Sequence, residues 1–248
     1  MFDDLKGKVV VVTGGVTGIG GAASLAFAAA GASVFAQYHG GGPELAAIEK
    51  AGIATMQLDL TEKGAPERMM AAAVARFGRI DIMVNNAGSL VGRVPVVDLE
   101  DDFIDRVFDL NCRQLIHCCR LAARLMKAQG AGNIINVTSI AARTGSSPGG
   151  AVYGGAKAFV SAFSKTLAKE LVGNGVRVNC VSPGTIHTAF HDRFSDEAKR
   201  EATRKTIPMQ RLGLAEDCAG TFLYLASDVA SGYVTGQVIE VNGGQLMA

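Results

Sequence analysis

A β-branched run at residues 8–12 passes without interruption into Thr13-Gly14-Gly15-Val16-Thr17-Gly18-Ile19-Gly20, and residues 22–30 then read as a helix of strong formers ended by Gly31. An unbroken apolar strand is the kind that is buried on both faces of a parallel sheet. Glycines let a backbone approach a pyrophosphate closely, and the free N–H groups and positive dipole end of the next helix hold it. The spacing is G-x-x-x-G-x-G rather than G-x-G-x-x-G, so the string alone is weak evidence and its place between strand and helix carries the reading. It predicts a doubly wound α/β fold whose first loop binds a dinucleotide.

The rest of the chain continues the alternation. Strands are expected at 33–37, 53–58, 81–84, 134–137, 176–181 and 238–241, and helices at 44–51, 62–77, 99–129, 151–172 and 215–226. With 248 residues, 48% of them hydrophobic, and no repeat or clear linker, one domain spanning 1–248 is expected. Residues 186–209 mix aromatics with charge and read as a mobile lid over the substrate.

A formal net charge of +1 and the lack of any basic run argue against nucleic acid or an anionic membrane as partner and favour a small molecule. The longest small-apolar run, 20–32, is too short to span a bilayer, and the acidic opening Met-Phe-Asp-Asp-Leu-Lys does not read as a signal peptide. Five cysteines without a CxxC fit reduced thiols, so a cytoplasmic protein is expected.

The chemistry centres on Tyr153 and Lys157, four residues apart and so on one face of the expected helix. A phenol is a poor acid-base group at neutral pH, but a neighbouring ammonium favours the phenolate and brings its pKa toward the working range. Taken alone, the pair also fits an ordinary surface contact. Other polar groups fall just past strand ends, where a cofactor crevice would lie: Asp59, the turn Asn85-Asn86-Ala87-Gly88, Ser139, and Ser182-Pro183-Gly184-Thr185. Asn111 sits in the apolar pattern of the long helix, a setting more typical of a kink or surface amide. The second strand ends in Gln37, Tyr38 and His39 with no carboxylate before Glu44. Without that acid a 2′-phosphate is not repelled, which tips the balance to NADP(H), although Thr17 is uncharged and no arginine is present to clamp it. His187 and His191 have the i, i+4 spacing of zinc ligands but no third ligand, so no metal is expected.

In order and spacing, Thr13-Gly14-x-x-x-Gly18-Ile19-Gly20, Asp59, Asn85-Asn86-Ala87-Gly88, Ser139 with Tyr153-x-x-x-Lys157, and Pro183-Gly184 resemble the short-chain dehydrogenase/reductase family across nearly the whole chain. The resemblance implies a seven-stranded parallel sheet, a nicotinamide cofactor, and a homotetramer built partly through the two long helices. It implies Tyr153 as general acid-base, Lys157 lowering its pKa and binding the nicotinamide ribose, Ser139 orienting the carbonyl or hydroxyl, and Asn111 holding a water that joins Lys157 to solvent. Gly14, Thr17, Gly18, Ile19 and Gly20 would face the pyrophosphate, and Gln37, Tyr38 and His39 the adenosine ribose. Asp59 with Leu60 would meet the adenine, Asn86, Ala87 and Gly88 the adenosine side of the crevice, and Pro183, Gly184, Ile186 and Thr188 the nicotinamide. Ser89, Leu90, Arg93, Ser146, His187, Phe190, His191 and Phe194 are expected to border the substrate.

The expected activity is interconversion of a secondary alcohol and a ketone on a small, sugar-like or oxo-ester substrate. A 3-oxoacyl carrier-protein reductase is the nearest alternative, but docking an acidic carrier needs basic residues, and 128–132 and 173–175 at the long-helix ends contain none. A nicotinamide-sensing module is the alternative from another class. It would need the glycine loop but has no chemical use for the tyrosine–lysine pair.

Overall fold

The computed structural model of the chain describes residues 2–188 and 197–247. Its elements run β1 (Val9–Thr13), α1 (Gly18–Ala29), β2 (Ser33–Tyr38), α2 (Leu45–Lys50), β3 (Ala54–Gln57), α3 (Ala65–Phe77), β4 (Ile82–Asn85), α4 (Asp101–Phe108), α5 (Gln114–Gln129), β5 (Gly132–Val137), α6 (Ala141–Thr144), α7 (Ala151–Leu171), β6 (Val176–Pro183) and β7 (Val238–Val241). Helices Glu197–Thr206 and Ala215–Ala226 lie between β6 and β7. All seven strands are parallel, in the order β3-β2-β1-β4-β5-β6-β7.

Strand residues alternate between two apolar layers, which is why unbroken valine and isoleucine runs are used. Val10, Val12, Val34, Val84 and Ile135 pack with Phe27 of α1 and Phe222 of the helix Ala215–Ala226. Val11, Phe35, Met83, Ile134 and Val178 pack on the other face with Met69, Met126 and Leu167 from α3, α5 and α7. Among the described residues no helix is long and apolar enough to cross a membrane.

Two elements differ from the sequence pattern. The expected helix over 99–129 is broken by a π-helical turn at Asp109–Arg113, and the small-residue stretch after β5 contains the one-turn helix α6. An apolar period reports only which face is buried, and it is insensitive to one wide turn.

A polar chain crosses the core beneath the strand ends. Asn85 Nδ2 donates to Asn136 Oδ1 at 2.8 Å, and Asn136 Nδ2 donates to Ser164 Oγ at 2.8 Å, so β4, β5 and α7 are tied together where water cannot compete. Asn136→Ala leaves both partners buried without these bonds, and urea unfolding should show a loss of about 2–3 kcal/mol with the fold retained.

Candidate active site

A cleft of about 830 Å³ opens at the carboxyl edge of the sheet, around the point where β1 lies between β2 and β4 and the chain order reverses. Its volume is within the range of small-molecule sites. Gly14 (φ +59°) and Gly18 (φ +52°) turn the loop between β1 and α1 through left-handed backbone that other residues rarely adopt. No side chain caps α1 at Thr17, so the first-turn N–H groups are left for an anion, and this backbone cradle fits a dinucleotide pyrophosphate. Gly14, Thr17, Gly18 and Ile19 line the cleft. Gly20 does not: a Cβ there would lie 2.1 Å from Gly14 O and 2.4 Å from Asn86 Nδ2, so this glycine permits close packing beneath the loop rather than facing the cleft.

At the adenosine end, Gln37 is buried and already engaged. Its Oε1 accepts from Gly14 N–H at 3.0 Å and its Nε2 donates to Leu58 O at 2.5 Å. Tyr38 is turned into the core beside β2 and does not line the cleft. His39 does, with Nδ1 3.6 Å from Asp59 Oδ2. Partial burial works to raise the Asp59 pKa, but the hydroxyl and N–H of Thr61 and the neighbouring His39 outweigh it and hold the carboxyl below its ordinary value. Leu60, Asn86, Ala87 and Gly88 complete this wall.

At the other end, Ser139, Tyr153 and Lys157 come together at the carboxyl end of β5 and the start of α7. The Ser139 side chain is hydrogen-bonded to the phenol, and its Oγ accepts from Ala141 N–H at 3.1 Å. Lys157 is buried, donates from Nζ to Val137 O at 3.0 Å, and lies 5.8 Å from the centroid of the Tyr153 ring. The expected lowering of the phenol pKa by Lys157 is not what this geometry produces. Burial pushes Tyr153 up to about 12 against the pull of Ser139, and burial lowers Lys157 to about 8. The ammonium sits over the ring face, and burial is the largest influence on the phenol.

Asn111 lies in the π-helical turn, fully buried and outside the cleft lining. Its Nδ2 donates to Ser89 O at 2.8 Å and to Val107 O at 2.9 Å, while Oδ1 accepts from Ser89 N–H at 3.2 Å. A Cβ at Gly88 would lie 2.7 Å from this Oδ1 and 2.9 Å from Lys157 Nζ, so both groups crowd one glycine. Gln114, which the sequence reading passed over, repeats the arrangement: its Nε2 donates to Ala87 O and Leu110 O, each at 3.1 Å. Both amides reach a carbonyl four residues back, where an α-helix would present a backbone N–H. Two amides within one turn of an apolar helix were the available signal.

Ser89, Leu90, Arg93 and Ser146 border the cleft, as do Pro183, Gly184, Ile186 and Thr188. His187 is exposed and outside it, its N–H donating to Gly213 O at 2.8 Å. Phe190, His191 and Phe194 lie outside the described residues, as do the other residues of 189–196 in the expected lid; from its described part, Thr203 of the helix Glu197–Thr206 reaches the cleft.

A glycine cradle at a topological switch point, facing a serine–tyrosine pair with a buried lysine, defines a nicotinamide-dependent oxidoreductase site. A sequence profile described as Enoyl-(Acyl carrier protein) reductase matches residues 14–245. The chain is 37% identical to a 3-oxoacyl-[acyl-carrier-protein] reductase of Synechocystis sp. over 98% of both chains. It is 38% identical to 3beta-hydroxysteroid dehydrogenase 1 of Eggerthella lenta over 100% of this chain and 97% of that one. Among solved structures, the NADH-dependent reductase A1-R' responsible for alginate metabolism superposes with a TM-score of 0.89 at 35% identity, covering 99% of this chain and 100% of the other. The chain belongs to the short-chain dehydrogenase/reductase family, whose members use NAD(P) to interconvert CH–OH and C=O groups. It is an oxidoreductase of that type.

The Lys157 pKa makes a prediction with a definite sign. Between about 8 and 10.5 the unfolded chain holds a proton that the folded one has lost, so this group's contribution to stability rises with pH across that window and is absent below it. Urea unfolding of the wild type and Lys157→Met at a series of pH values should show the wild type gaining ~2 kcal/mol relative to the variant between pH 8 and 10. A flat difference would mean that the ammonium is solvated in the folded protein.

Proposed function

We propose that the enzyme works chiefly as a carbonyl reductase, with Tyr153 Oη giving its proton to the substrate oxygen. The observation that carries this is the Tyr153 phenol, held protonated by burial and hydrogen-bonded to Ser139 at the cleft. Ser139 orients the carbonyl, and Lys157 offsets the negative charge left on the phenolate. Asn111 and Gln114 position the loop at 87–89 that shapes the cleft beside them. The nicotinamide, when bound, supplies the hydride. Tyr153→Phe should lower kcat/KM for ketone reduction by about 10³-fold while NADH affinity changes little; unchanged turnover would remove Tyr153 from the chemistry.

For the cofactor, the lining supports NAD(H) over the NADP(H) read from the strand-end residues. The wall made by Thr17, Gln37, His39, Asp59, Leu60 and Thr61 holds a carboxylate and neither lysine nor arginine. A dianionic 2′-phosphate would meet Asp59 without a guanidinium to offset it. The NADH-dependent relative is consistent with this. Steady-state kinetics should favour NADH by about tenfold or more, and Thr17→Arg should narrow the gap by improving KM for NADPH.

The carrier-protein alternative is weakened by the charge of α4, which reaches the cleft through Arg106: this helix and the turn before it expose Asp98, Glu100, Asp101, Asp102 and Asp105. An acidic carrier would be repelled there. A sensing module gives no reason to bury a lysine beside a tyrosine. The chain acts as one cofactor-binding and catalytic domain, cytoplasmic in keeping with five free buried cysteines. We assign it a homotetramer in which the α4 and α7 faces meet a neighbour, since Phe108 and Phe159, the latter stacked on Phe163 at 5.7 Å, are left exposed.

A further inference from the structure

Three uncharged polar side chains that the proton transfer does not use line the cleft from three separate parts of the chain: Ser146, Thr203 and Gln245. Ser146 is half-buried in the loop between α6 and α7, and two glycines of the segment that carries Tyr153 make room for it. A Cβ at Gly150 would collide with Ser146 Oγ, and one at Gly154 would lie 3.2 Å from Ser146 N. Thr203 comes from the helix Glu197–Thr206, and Gln245 from the segment after β7. Gln245 Oε1 accepts from Thr185 Oγ1 at 3.4 Å, which leaves its Nε2 donors unused. Among the described residues, Ser146 Oγ and Thr203 Oγ1 have no hydrogen-bond partner either. Ser147 Oγ, which accepts from Arg93 Nη1 at 2.6 Å, still has its own proton to give.

The remaining lining narrows what such groups can meet. Tyr153 carries the one phenyl or phenol ring among the described lining residues, so they offer no aromatic platform to a flat apolar ring system. Arg106 and Asp109 line the cleft from α4 and the turn after it, and an ion of either sign would find a like charge there. A neutral hydroxyl suits all of these groups, because it donates to a carboxylate, accepts from a guanidinium or amide, and does both with another hydroxyl.

We propose that the substrate is a small, uncharged carbonyl compound of sugar type, carrying hydroxyls on the carbons beside the carbonyl, and that Ser146, Thr203 and Gln245 seat those hydroxyls while the carbonyl meets Ser139 and Tyr153. This rests on the reductase reading and adds the substrate class. Reduction adds a hydride to the carbonyl carbon and the Tyr153 proton to its oxygen, and the product is the corresponding polyol. Side chains supplied by a packed loop, a helix and the strand-end segment lose little freedom when they bind, so hydroxyl contacts add to affinity rather than being spent on ordering the site.

The test compares dihydroxyacetone, erythrulose and xylulose, each beside its fully O-methylated ether, with NADH and NADPH. The ethers keep the electron withdrawal that activates the carbonyl but cannot donate hydrogen bonds. The free polyhydroxy ketones should exceed their ethers in kcat/KM by about 10- to 100-fold, as two or three extra hydrogen bonds would give. Ser146→Ala and Thr203→Val should each narrow that ratio by about three- to tenfold, chiefly through KM of the hydroxylated ketone. Binding of xylitol and of its pentamethyl ether to the enzyme–NADH complex, followed by NADH fluorescence, gives a readout independent of turnover. Preference for xylitol with no ketone turned over would support the hydroxyl subsite and sink the reductase reading. Ketones and ethers reduced alike, an equal loss on both in the two variants, or faster reduction of an apolar ring ketone such as 1-decalone would overturn the subsite while reduction stood. Neither turnover nor binding would overturn both.

Discussion

The hydroxyl of Thr13 holds the cleft in place. At the last residue of β1 its Oγ1 accepts the N–H groups of Asn86 and Ala87, each at 3.0 Å, and Asn86 Nδ2 returns to Thr13 O at 3.0 Å and Gly14 O at 3.1 Å. Two loops that leave adjacent strands are thereby clasped at the point where the sheet order reverses. The clasp works only because Gly20 carries no side chain beneath it. Everything that faces a dinucleotide, from Gly14 to Gly88, takes its position from that contact.

Side-chain amides do the same work elsewhere around the site. Gln37 ties the glycine loop to the end of β3, Asn111 and Gln114 tie the π-helical turn to the loop after β4, and Asn85 and Asn136 link strands below. An amide donates and accepts without carrying charge, so it can satisfy buried backbone at modest desolvation cost. Charge is thereby reserved for Lys157 and the groups at the two ends of the cleft.

The sheet was legible because both-face burial leaves a plain record in residues such as Val9 to Val12, and the catalytic cluster was legible because Ser139, Tyr153 and Lys157 follow strand ends at short range. What spacing could not report were side-chain directions. Gln37 near the end of β2 and His39 just beyond it both reach the cleft, yet the Gln37 amide is already spent on Gly14 N–H and Leu58 O while His39 is exposed. Tyr38, between them, turns away. The π-helical turn was hidden for a related reason, since its cause is hydrogen bonding from Asn111 and Gln114 to loop carbonyls more than twenty residues away in sequence. The sign of the Tyr153 shift was also out of reach, because the competition between an ammonium and desolvation depends on where the ammonium sits.

That sign sets the resting protonation of the pair. With Tyr153 at about 12 and Lys157 at about 8, the resting pair at neutral pH is a phenol beside an ammonium. A phenol is ready to donate, and the phenolate that would accept a proton from an alcohol is the minor form of the resting pair. Donation creates a phenolate in a buried site, and the ammonium 5.8 Å from the ring centroid is the charge placed to offset it.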